Sequence, residues 1–438
     1  MADGLQGSKY QQQVRALSEQ LIALQKPIRI LDSIKWSSNI EREFFAQNAQ
    51  ALPRLGQDYY QKMALGFEPA ALRAEFKDLH AQVGRKLGLH DGLARILCAT
   101  IEQYLLVIDL LEARGSAEFG SISQELYGSA SDTLRGDTKT LRELGEQFSQ
   151  VFSLPAAVKV SQPHQKTLDA QQAVSALQRR LDRFFDQGEL RVILSDGIVS
   201  DAAAGGDYIK VNQEAFFSER DLHILEVHEG WVHVGTTLNG RLQPYATWLS
   251  VGSPRVTACQ EGLAVLMEIL SFSSHPQRAL KVSDRVVAVD MAENGADFLE
   301  VYRYFVARGR SEGDSYKITQ RVFRGGTLTG GSVFTKDISY LRGLVENVNF
   351  IRSAINSGIP EIIPLLFVGK VALDDVPLLY ERYLESSVLG PHYIPEMFRD
   401  MGGLYSWFGF SSGLAGINVA RVQAHFEQMF AVMKKPQA

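Results

Sequence analysis

The sequence predicts a mostly helical α+β fold, and three observations predict it. Apolar residues recur at helical spacing along most of the chain, beginning with Val14, Leu17, Leu21 and Leu24. One interval, 189–211, departs from that period with short β-like runs separated by Ser-Asp-Gly and Gly-Gly-Asp turns. The stretch after it, Ser218 to Gly240, returns to helix and carries the pattern His228-Glu229-Gly230-Trp231-Val232-His233.

The first third reads as all-helical. A helix over 8–26 ends at Pro27, and further helices are expected over 34–48 and 69–87. A long apolar helix over 89–114 stops at Gly115, 126–129 is a loop, and 138–152 is helical again. No residue here shows a chemical role; His80, His90 and His164 are scattered and read as surface or capping histidines. The polar segment from Ser161 to Thr167 contains a proline, so a boundary is expected within 153–163. It divides a helical N-terminal region, 1–155, from a catalytic region, 156–438.

A helix over 171–185 precedes the β-like runs 189–194, 197–203 and 208–211, expected to form a small antiparallel sheet. The segment 205–211 is the expected edge strand, along which a substrate backbone could add as a further strand with Lys210 beside it. Beyond the histidine pattern, helices are expected over 284–308, ended by Gly309, and over 316–324, ended by Gly325 and Gly326. Another begins at Thr335 or Lys336 and runs to 356, followed by helices over 358–366 and 374–384. Trp407, Phe408 and Phe410 stand among glycines in the tail, as aromatics that seal a core or a dimer contact.

The histidine pattern sets a geometric problem. The familiar zinc motif H-E-x-x-H places two imidazoles one turn apart, whereas this chain has one residue more between them. At about 100° per residue, positions i and i+5 diverge by about 140° on an ideal α-helix, too far for one ion. The helix must therefore widen by one residue, as a π-bulge does. Gly230 lies inside the run, where the missing Cβ would ease the distortion. Ser218 and Asp221 approximate a capping box, and Asn239-Gly240 provides a stop. His223 continues the five-residue series, but a third ligand at that step would spiral away, and it reads as structural or exposed.

A catalytic zinc takes three protein ligands and keeps one position open. Thr257-Ala258-Cys259-Gln260 resembles a capping box opening the next helix, and Glu261 follows at once. His228, His233 and Glu261 would complete the set for one Zn²⁺ per chain, with Glu229 facing the water; Cys259 is the alternative third ligand. Glu268, seven positions after Glu261 and close to the same face, is a candidate acceptor for a ligand histidine's second N–H.

HEGWVH followed by QEGLA resembles a bacterial family named for its QEGLA motif and for modulating flavohaemoglobin expression. The same family includes the eukaryotic microtubule-associated tyrosine carboxypeptidases. The resemblance runs from about Pro27 to at least Gly343, and its specific part is Asp207 to Glu268. It implies a gluzincin-like zinc metallopeptidase that removes C-terminal residues, with His228, His233 and Glu261 as ligands and Glu229 as catalytic glutamate. Family members also share a Thr-Lys-Asp and a Tyr four residues after the Lys, here Lys336 and Tyr340. Lys336 and Arg324 would grip the substrate carboxylate, and Tyr340 would hydrogen-bond the oxyanion.

Composition bounds the alternatives. In 438 residues, apolar content of 45% and a net charge of −5 describe an ordinary globular protein and argue against a nucleic-acid partner. Two cysteines imply no disulfide framework; neither a signal peptide nor a membrane span is evident, so a cytoplasmic protein is expected. P-loop and dinucleotide glycine signatures are absent from the sequence. The partner expected is a peptide or protein C-terminus, with the oligomeric state left open. The competing class is a non-catalytic regulator that keeps the zinc scaffold, against which the retained Glu229 argues.

Overall fold

The computed structural model describes residues 7–161, 165–196, 198 and 200–433. His164, Gly197 and Val199 lie outside the described residues, so the histidine reading at 164 and part of the second β-like run are not addressed. The described chain is mostly helical with one three-stranded sheet, an α+β fold. None of its helices is long and apolar enough to cross a membrane.

The first helix, Lys9–Gln25, is opened by a Ser8–Gln11 capping box and buries Val14, Leu17 and Leu21, the apolar stripe seen in the sequence. Helix Pro69–Leu87 has the expected bounds, while the neighbouring apolar helix is Gly92–Glu112 because Asp91 caps it. Two expected segments change. The region before 48 is a short turn, Ile30–Ser33, followed by helix Ser38–Ala46. Leu126 and Tyr127 end a helix, Glu118–Tyr127, instead of forming a loop.

The long helix expected over 284–308 is two. Pro276–Glu293 starts eight residues earlier on a proline, and Phe298–Ala307 begins afresh at an Asp297–Glu300 capping box. The helix of Glu261 also starts earlier than expected. Pro254 supplies its first residue and Ser253 its N-cap position, so Thr257 lies inside Pro254–Leu270 and caps nothing. The tail is split in its behaviour: Phe408 is fully buried, whereas Trp407 is 48% and Phe410 77% exposed.

The sheet corrects two expectations. β1 (Arg191–Ser195), β2 (Ala202–Ala204) and β3 (Tyr208–Asn212) run in the order β1-β3-β2. β1 pairs with β3 in parallel and β2 with β3 antiparallel, so the sheet is mixed. The segment read as an edge contains β3, the central strand, whose backbone groups are committed on both sides. The reason for setting Lys210 beside a substrate falls with it; its ammonium lies 5.6 Å from the Tyr208 ring centroid. The edge strand on this side is β2.

One core runs through the described chain, and it includes residues from both sides of 155, such as Leu141, Phe119, Val286 and Phe334. Its tightest crossing sets helix Pro254–Leu270 against helix Ser339–Asn356. Gly262 and Gly343 meet there backbone to backbone: a Cβ on Gly262 would collide with the Gly343 carbonyl, and one on Gly343 with the Ala258 carbonyl. Glu261 is the residue next to this contact, so the crossing fixes its carboxylate.

Gly262→Ala should destabilise the fold by about 1–3 kcal/mol through backbone overpacking and lower bound metal by displacing Glu261. Thermal denaturation together with metal analysis reads both; an unchanged melting temperature would contradict the close crossing.

Candidate metal centre

The segment that carries both histidines is not α-helical. Glu219–Leu225 is α-helix, capped by the Ser218–Asp221 box, then Glu226–Val234 is π-helix, and Gly235–Arg241 returns to α. The wider i→i+5 turn brings residues five apart onto one face. His228 and His233 accordingly lie with ring centroids 5.0 Å apart.

Gly230 plays a different part from the one expected. It does not adopt a positive φ, and its missing Cβ makes room for the Leu181 side chain. The widening is held from outside. The His233 carbonyl accepts from the Lys370 ammonium at 2.7 Å and from Thr237 Oγ1 at 2.9 Å, and Thr236 Oγ1 reaches the Val232 carbonyl. Lys370 also reaches Gln260 Oε1 at 2.9 Å, tying the π-helix to the helix of Glu261. On the opposite face Trp231 packs against Phe184 and Phe185. Asn239 is no helix stop; it is buried and its amide bonds the Phe367 and Tyr393 carbonyls, anchoring later loops.

One donor atom from each of His228, His233 and Glu261 lies within 4.8 Å of the other two. Glu261 Oε2 is 3.8 Å from His228 Nε2 and 3.5 Å from His233 Nε2. Donors about 2.0–2.1 Å from a tetrahedral ion stand about 3.4 Å from one another, so the donor set fits one. His228 is buried, and the side chains of His233 and Glu261 are 17% and 13% exposed. Cys259 is excluded as a ligand because its buried sulfur faces Asn347 Oδ1 at 3.7 Å. His223 stands outside the group.

Orientation comes from a second carboxylate. Glu268, buried on the same helix as Glu261, receives His228 Nδ1 at 2.6 Å and is clamped by Arg278 through contacts of 2.9 and 2.7 Å. Burial alone would raise the Glu268 pKa, but Arg278 and His228 hold it well below the usual carboxylate range. An ionised Glu268 accepts, so Nδ1 carries the hydrogen and Nε2 is left facing the ligand group. Glu261 likewise sits below its ordinary range: burial opposes this, and Lys336, His228 and His233 overcome it. Burial pulls the His228 imidazole down, yet Glu261 and Glu268 push it up to about 10. The cluster is built to hold positive charge. Burial brings Lys370 down to about 7, against the pull of Glu261 and Glu229.

Glu229 shares the π-helix, and its Oε2 accepts the Ala204 N–H at 3.0 Å. Ala204 belongs to edge strand β2, so the sheet touches the site through the strand next to the expected one. Lys336 Nζ lies 2.8 Å from Glu261 Oε1 and 5.7 Å from the Tyr340 ring centroid. Lys336 lies in a 3₁₀ turn, Thr335–Ile338, that feeds helix Ser339–Asn356.

Residues 42–416 match the family described as microtubule-associated tyrosine carboxypeptidase. The chain belongs to this family. A carboxypeptidase-type function on a protein substrate follows at that level of description. No curated protein matches the chain. Among solved structures, one described as "BsuCP Crystal Structure" is 13% identical, covering 92% of this chain and 98% of its own, at a TM-score of 0.31.

Several residues around the site escaped the sequence reading. Arg278 and Arg285 lie seven apart on helix Pro276–Glu293, and Arg321 precedes Arg324 by three. The first is a same-face helical spacing, a signal present in the sequence, whereas Arg324 stands just past helix Glu312–Phe323 with extended backbone. Lys370 and the Ala204 N–H left none, because both arrive from loops or strands remote in the chain.

Glu268→Gln should weaken metal affinity by about 10–100-fold while the ligand triad stays intact. Competition with a chromophoric chelator measures it; wild-type affinity would show that Glu268 does not orient His228.

Proposed function

We propose that the chain is a gluzincin-like, zinc-dependent carboxypeptidase of the cytoplasm. The observation that carries this reading is the convergence of His228 Nε2, His233 Nε2 and a Glu261 carboxylate oxygen beside Glu229. Two neutral imidazoles and one carboxylate are the donor set of catalytic zinc sites in peptidases. When bound, zinc supplies Lewis-acid polarisation of the scissile carbonyl and makes a nucleophile of water near neutral pH.

The chain's own residues do the rest. Glu229 is the general base: it takes the proton of the attacking water and returns it to the leaving amine. The Ala204 N–H fixes one oxygen of that carboxylate. A base carried between the two histidines on the same helix favours catalysis over a scaffold role. Tyr340 donates to the oxyanion that develops on the carbonyl. Lys336 and Arg324 receive the substrate's terminal carboxylate, which accounts for a lysine next to Glu261. Lys336 is raised above the ordinary lysine range, with burial opposing and Glu261, Tyr340 and Asp337 prevailing, so it stays charged for that task.

A C-terminal peptide library read by mass spectrometry, with and without chelator, tests the reading. Single-residue C-terminal losses that vanish with chelator are expected. Glu229→Gln should retain zinc and lose at least about 10²-fold in turnover; unchanged turnover would remove Glu229 as base. Glu261→Ala should cut the zinc stoichiometry sharply, and full occupancy would remove it as ligand.

A further inference from the structure

Residues 413–430 lie on a helical arm that none of the described residues covers. The arm leaves the body along helix Met401–Ala415. Leu404 and Phe408 are buried there, and the Arg352 guanidinium donates to Ser411 Oγ at 2.6 Å. Past Phe408, no described residue belongs to the core or packs against it. A second helix, Val419–Met433, follows Gly416, and its first turn is capped by Asn418 Oδ1, which accepts the Arg421 N–H at 3.1 Å. Its hydrogen bonds and ring contacts among the described residues stay within the arm. The family match ends at residue 416, so this helix lies beyond it.

The uncovered helix carries an ordered apolar stripe. Val419, Val422, Phe426 and Met429 follow one another at steps of three, four and three, the a/d repeat of a coiled-coil seam, and Phe430 flanks them. All five fall within about 100° of the helix surface, and each is 45–53% exposed. Arg421, Glu427 and Gln428 lie on the far side by the same helical period. Trp407, Phe410 and Leu414 continue the exposed apolar surface along helix Met401–Ala415. An apolar surface of this extent marks an interaction site.

Size and charge say what fits there. Aromatic side chains bury ~150–250 Å² each, so these eight residues at about half exposure present on the order of 800 Å². One partner of a standard interface buries about that much. Between Met401 and Met433 the chain has one Lys or Arg, Arg421, and one carboxylate, Glu427, both off the seam. A helix lying on a lipid surface carries Lys and Arg along its polar face, and this one has Arg421 alone. An uncharged seam suits a surface as apolar as itself, and a two-fold axis sets it against its own copy. We propose that helix Val419–Met433 pairs along this stripe with the same helix of a second copy of the chain, giving a two-fold symmetric dimer. Nothing in this pairing depends on the peptidase reading.

Sedimentation of the full chain at concentrations up to ~50 µM, where an interface of standard size is formed, reads the assembly. A mass of about twice 48.7 kDa is expected, and 48.7 kDa throughout overturns the dimer. Val422→Glu combined with Phe426→Glu should raise the dissociation constant at least about 100-fold, because like charges then face each other across the seam. Association unchanged by that pair of substitutions places the contact elsewhere and overturns the proposal. Gln428→Glu, on the far side of the helix, should leave the mass as it was. Val422→Lys combined with Phe426→Lys should part the copies in the same way. Mixing the Glu and Lys chains should restore a dimer at least about ten-fold tighter than either forms alone. Without that rescue the arm docks on the body of the other copy, and helix-to-helix pairing is overturned. Both positions are half exposed in the single chain, so the circular dichroism of the variants should match the parent. Should they not fold, the mass of the unaltered chain decides. A monomer that sediments with vesicles of phosphatidylcholine and phosphatidylserine identifies a lipid surface drawn by Lys434 and Lys435, and overturns the dimer as well.

Discussion

The widened turn of Glu226–Val234 is the constraint on which the site depends. An α-helix would aim His228 and His233 in different directions; the π geometry lets both ring Nε2 atoms reach one Glu261 oxygen. A π-turn is less favourable than an α-turn, so it persists only where neighbours hold it. Here the Lys370 ammonium and the Thr236 and Thr237 hydroxyls occupy carbonyls in the turn, and Trp231 packs the outer face. The functional spacing and the backbone irregularity are the same fact seen in sequence and in space.

Glu261 reaches those imidazoles through packing of another kind. Gly262 and Gly343 allow two helix backbones to touch, closer than any side chain would permit. That contact gives the glycine after the glutamate a structural task, and ties the ligand to the helix that carries Tyr340. Glu261 and Tyr340 thus stand on two helices that touch backbone to backbone.

Charge organises what surrounds the triad. Arg278, Glu268, His228, Glu261 and Lys336 form a continuous chain in which each carboxylate lies between a cation and the His228 imidazole, each member within hydrogen-bonding or ion-pair distance of the next. Such pairing keeps carboxylates ionised in a partly dry space and sets imidazole orientation without flexible loops. Around Tyr340 the packing is of another kind, with Arg285 over the Tyr340 ring and Arg324 over that of Phe334.

The residues that could be read in advance are those whose partners are local or whose spacing is diagnostic. Helices such as Lys9–Gln25 and Pro69–Leu87 follow from apolar period and caps, and the one-residue excess between His228 and His233 demands a widened turn. Glu261 and Glu268 share a helix face, so a spacing of seven already sets them together. The mixed sheet was out of reach, because β1 and β3 pair in parallel across a connection whose period does not reveal which strand is central. The break at 294–297 was hidden by apolar residues that continue the helical period on both sides of it. Chemistry of type and spacing belongs to the chain as written: two histidines, a glutamate between them and a later carboxylate. Which edge meets Glu229 and which lysine holds the turn came from contacts between segments far apart, for only packing brings such groups within a few ångströms.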